Sequence, residues 1–155
     1  MPYFAKTDLA PVLTPRLLAR LSADTGDVAD DAVITSVAGL VCSEMDKVLR
    51  RVMPVPVTGP ADLLADLKTT GVQMFPYYLY MRKGVSDNEA AAAAALALWR
   101  KATKDLDTIV KDIAEGRRGL SGDPIVPGSV VPDDHWGSEE PVFFSPAVDG
   151  DSEGS

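Results

Sequence analysis

The stretch between Gly84 and Gly116 constrains the fold most, because it reads as one long helix with both ends marked. Ser86 and Glu89 stand at the spacing of a capping box, in which each side chain bonds the other's backbone amide. Gly116 is a residue that can stop a helix in the left-handed conformation without steric cost. A helix from Ser86 to about Glu115 is ~45 Å long at 1.5 Å per residue. Leu96, Trp99, Leu106, Ile109, Val110 and Ile113 give it one apolar side. Its first turns are the six alanines Ala90 to Ala95. They have two readings: a start driven by alanine's helix propensity, or a smooth surface for close approach to another helix or subunit.

Upstream segments carry helix signals of their own. Thr7 is placed to cap a short helix through Val12, and Thr14 with Pro15 opens a second, whose apolar side is Leu17, Leu18 and Leu21. Asp24 to Asp27 forms a turn. Asp30 or Asp31 then caps a helix to about Val52, in which Ile34, Val37, Val41, Met45, Val48 and Val52 recur every three to four residues. Met53 to Pro60 is an extended connector, since proline fixes φ and restricts the residue before it. Pro60 opens a helix through Arg82 that carries Leu63, Leu64, Leu67, Val72 and Phe75, with a bend expected between Gly71 and Pro76. The fold class is all-α: a small bundle of about five helices with a long C-terminal helix, followed by an extended arm.

Charge divides the chain at the same place as pattern. Residues 1 to 115 hold 13 Lys/Arg against 15 Asp/Glu, and residues 116 to 155 hold 2 against 8, so the net charge of -8 splits into -2 and -6. The second part also holds five prolines and seven glycines around short apolar pieces such as Val142-Phe143-Phe144. Such a segment cannot bury enough surface to fold alone. Residues 1–116 are therefore a helical domain and 117–155 an acidic tail. Trp136, Phe143 and Phe144 suit a tail part of which docks on a neighbour.

The sequence offers little chemistry. His135, the only histidine, lies in the tail beside Trp136, where nothing rigid would hold it as a general base. Cys42, the only cysteine, follows Val41 and reads as a packed thiol. Asp24, Asp27, Asp30 and Asp31 miss the calcium-loop spacing, with Gly26 and Val28 where ligands belong. No phosphate-binding glycine motif is present. We expect no catalysis, no cofactor and no metal. A net negative chain lacks the basic footprint of a DNA-gripping protein. The opening residues carry no secretory pattern, and the alanine run falls far short of the ~20 apolar residues that cross a bilayer.

The densest unusual patch is Phe75 to Lys83, with Tyr77, Tyr78, Tyr80, Met81 and Arg82 distributed all round a helix. Tyrosine and arginine are enriched at interface hot spots. The competing reading packs one or two of the tyrosines onto the final helix and pairs Arg82 with Asp87 or Glu89.

Taken in order, Tyr3 with Thr7-Asp8-Leu9, Leu21-Ser22-Ala23-Asp24, Asp30 to Ile34, Glu44 to Arg51, Pro54-Val55-Pro56, Tyr77 to Tyr80 and Trp99 to Ala102 resemble the Mu-like family of tailed-phage head-tail connector, or head-completion, proteins. Val52 stands where such proteins often carry an aromatic residue, and residues 117–155 lie outside the resemblance. The resemblance implies a virion subunit that forms a ring, commonly twelvefold, between the portal protein and the tail terminator or stopper, and lets DNA through without gripping it. It implies residence in the virion neck after a period in the host cytoplasm. Its functional residues would be contacts, here Arg50, Arg51, Tyr77, Tyr78, Tyr80 and Arg82, with Trp136, Phe143 and Phe144 of the arm. The rival expectation is a cytoplasmic helical adaptor that binds one protein partner through the tyrosine-rich helix. A third, a metal-dependent hydrolase, would have to use the aspartates from 24 to 31.

Overall fold

The computed structural model describes residues 2–84 and 89–119. Among them the chain forms a 3-10 turn, Lys6–Leu9, and four α-helices: α1, Pro15–Ser22; α2, Asp31–Leu49; α3, Ala61–Lys83; and α4, Glu89–Ala114. The described residues contain no strand, so the all-α expectation holds. No helix among them is long and apolar enough to cross a membrane.

Local chemistry sets most of the helix ends. Thr14 Oγ1 accepts the Leu17 amide at 3.3 Å, and Pro15 takes the first helical position of α1. Asp30 Oδ1 accepts the Ala32 and Val33 amides at 2.9 and 3.2 Å, which decides between the two aspartates as the cap of α2. At the far end of α4, Gly116 has φ +72°, its amide reaches the Ile113 carbonyl, and the Arg117 amide reaches that of Asp112. These two bonds make a Schellman stop. The capping box expected from Ser86 falls partly outside the described residues.

The first element differs from expectation. Thr7 caps nothing; instead Asp8 accepts the Ala5 amide at 2.7 Å and closes one tight turn. Pro11 follows two residues beyond Leu9 and cannot donate to a longer helix. What this turn achieves is to set Leu9, 1% exposed, into the core.

α3 and α4 form an antiparallel hairpin about 35 and 39 Å long. The direction follows from their contacts: Tyr77 meets Trp99 near one end, and Arg118 meets Asp62 and Asp66 at the other. α1 and α2 lie against this hairpin. Val41, Met45 and Leu49 of α2, Leu63, Leu67, Phe75 and Leu79 of α3, and Ala102 and Leu106 of α4 make the driest part of one shared core. Residues at 3.6-residue spacing meet there from three sides, which is why α3 buries residues around most of its circumference. α3 continues through Pro76, which has no amide hydrogen to give Val72.

Candidate functional site

Phe4 explains Gly71. Its ring, 5% exposed, stands edge-on to Phe75 with centroids 5.9 Å apart. A Cβ built on Gly71 would lie 2.6 and 2.7 Å from two of its ring carbons. Glycine at 71 thus lets the N-terminal strap lie directly on α3. Tyr3 fixes the same strap to two other elements: its hydroxyl donates to Asp46 of α2 and accepts the Val57 amide of the connector at 3.0 Å. The Tyr3 amide also donates to Cys42 Sγ at 3.3 Å. Burial, then the Asp46 carboxylate, pushes the Tyr3 phenol up to about 12.

Chemical reactivity is not what these groups offer. Cys42 is buried, and burial raises its thiol, the opposite of what a nucleophile needs. The aspartates from 24 to 31 are dispersed: Asp24 pairs with Arg82, Asp30 caps α2 and Asp31 pairs with Lys6. No group of three or more possible metal ligands occurs among the described residues.

The tyrosine-rich end of α3 separates into inward and outward parts. Tyr78 is half-buried beside Trp99 of α4 and Glu44 and Lys47 of α2, and burial raises its phenol above the ordinary value. Tyr77 rests on Trp99, with centroids 5.0 Å apart, and meets Tyr78 edge-on at 5.4 Å. Arg82 reaches back to Asp24 at 3.0 Å and to the Ser22 carbonyl at 3.4 Å, while Lys83 donates to the Ala23 carbonyl at 2.6 Å. Two cations thus cover the C-terminal end of α1, where its carbonyls lack helical partners. Arg82 thus pairs with Asp24, and of the two local partners suggested by the sequence Asp87 lies outside the described residues.

An apolar groove remains at the tip of the hairpin. Tyr77, Tyr80 and Met81 of α3 form one wall; Ala92, Ala93 and Leu96 of α4 form the other, with Glu89 at its edge. The groove measures about 310 Å³, and Met81 is 57% exposed within it. The alanine run therefore divides its work: Ala95 is buried, whereas Ala92 and Ala93 line this opening. Of the residues expected at an interface, Tyr77 and Tyr80 come together here. Arg50 and Arg51 are exposed at the end of α2 and belong to a different surface. Trp136, Phe143 and Phe144 lie outside the described residues.

Two features escape a reading of the sequence. The Tyr3–Phe4 strap depends on partners far along the chain. Arg118, beyond the expected edge of the helical domain, pairs with Asp66 at 2.5 Å and Asp62 at 3.3 Å, and its side chain is 18% exposed. In comparisons with known proteins, the chain matches no family model, and no curated protein or solved structure matches it significantly.

Proposed function

We propose that this chain is a structural assembly subunit, a head-tail connector that rings the exit of a phage head between the portal and the tail or stopper. The observation that carries an assembly role is the apolar groove at the hairpin tip, a surface of tyrosine, methionine and alanine that is open among the described residues. Tyrosine and methionine are enriched where proteins meet. The ordered resemblance described from the sequence supports the more specific assignment to a neck ring.

Electrostatics fits the same role. With a net charge of -8, a ring of such subunits presents a channel that repels phosphate and lets DNA slide without being held. In this reading the subunit performs no chemistry and needs no cofactor; its partners are copies of itself, the portal protein and the terminator or stopper.

Cryo-electron microscopy of finished particles from the virus that encodes the chain tests this directly. The expected result is density for the four-helix body in the neck, and absence of the chain from the particles would defeat the assignment. Deleting residues 120–155 is expected to leave the helical circular-dichroism signal intact and to impair assembly.

A further inference from the structure

We propose that the groove at the hairpin tip is the seat for Val142-Phe143-Phe144 of a second copy of this chain. The inference rests on the assembly reading above and names the contact it would use. Its first support is chemical fit. The groove is lined by two phenol rings, a thioether, a leucine and two alanines, and aromatic rings pack favourably on such walls. Outside the described residues, Val142-Phe143-Phe144 is the one place where two aromatic residues stand side by side, flanked by Pro141 and Pro146.

Charge gives the docking a direction. Glu139 and Glu140 precede the apolar piece, and they would be repelled by Glu89 at one edge of the groove. One helical turn beyond Leu96, Arg100 is exposed and has no ion-pair partner among the described residues. The segment therefore lies with its two glutamates towards Arg100 and its rings towards Met81.

Reach permits the contact. Arg118 ties the departing chain to Asp62 and Asp66, at the end of the hairpin away from the groove. From Asp66 to Tyr80 is about 21 Å along α3. The residues between Gly119 and Val142 can span up to ~75 Å when extended, enough to pass from one body to the next. Two unlike surfaces joined in this way make a head-to-tail contact, which closes into a ring when the rotation allows it.

The test uses the full chain with a photoreactive benzophenone side chain in place of Met81. Isotope-labelled and unlabelled copies are mixed, illuminated across a concentration series and digested for mass spectrometry. The expected product joins position 81 of one copy to a peptide within residues 138–148 of the other. It should disappear when Phe143→Ser and Phe144→Ser are combined and fall with Arg100→Glu. The same label at Leu40, exposed on α2, serves as the control and should not give it. Cross-linking within one copy, to another region, at no concentration, or undiminished in the double serine variant overturns the proposal. Finished particles that lack the chain would remove the connector assignment and leave a positive cross-link standing. Particles that contain the chain, together with a failed cross-link, would remove only this contact.

Discussion

Gly71→Ala places a methyl group against the Phe4 ring, and that ring sets the sign of its effect, since the other near neighbour, Met45 Sδ, stands at an ordinary 3.4 Å. The new carbon would stand 2.6 Å from the ring, whereas carbon atoms pack comfortably at about 3.5–4.0 Å. The ring must therefore move by roughly 1 Å, yet it is buried and pinned edge-on to Phe75. Overpacking of this kind costs about 1–3 kcal/mol. Replacing glycine by alanine within a helix returns about 0.5–1 kcal/mol, so a net loss of about 1 kcal/mol is expected. Urea unfolding followed by circular dichroism measures it. Phe4→Ala by itself should cost about 3–5 kcal/mol. In that background Gly71→Ala should become stabilising by about 0.5–1 kcal/mol, because only helix propensity remains. Equal destabilisation in both backgrounds would refute the clash with Phe4 as the reason for glycine at 71.

Other expectations concern single ties. Tyr3→Phe removes the hydroxyl that serves both Asp46 and the Val57 amide, and should cost about 1–2 kcal/mol at neutral pH in urea unfolding. Because the folded phenol titrates near 12 and an unfolded one near 10, stability should fall as pH rises from about 10 towards 12. Solvent screening of this part-exposed group limits that alkaline loss to roughly 1 kcal/mol, and the loss should vanish in Tyr3→Phe. Asp30→Ala leaves two amides of α2 without their cap, so thermal unfolding should report a loss of about 1 kcal/mol. Arg118→Ala should cost about 0.5–1 kcal/mol at low salt and less in molar salt; an effect independent of salt would argue against the ion pairs.

How much of this could be read from the sequence depends on how far each interaction reaches. Thr14, Asp30 and Gly116 act on amides or carbonyls within five residues, so their residue types announce the helix ends. Helical spacing likewise marks Val41, Met45 and Leu106 as core. Gly71 is different: within its helix it suggests flexibility near Pro76, but its neighbour is Phe4, brought in from the other end of the body. Arg82 shows the same limit, because nearby acids suggest a local pair while the fold delivers Asp24 from the turn after α1. The tyrosine patch is legible as unusual but not as divided; only the packing of α4 and α2 sets Tyr78 beside Glu44 and Lys47 while Tyr77 and Tyr80 line the groove.

The strap also has a consequence for the order of folding. Its partners lie 39, 43 and 54 residues downstream at Cys42, Asp46 and Val57, so the ribosome must deliver α2 and the connector before Tyr3 has anything to hold. Tyr3 is thus tied only once two later segments, α2 and the connector, are both in place. Contacts of such sequence separation carry a loop-closure cost that must be met before they return any stability. By joining residues 3 and 4 to α2, the connector and α3, the strap raises the contact order of the body, so it should fold more slowly than a bundle held by local hairpins alone.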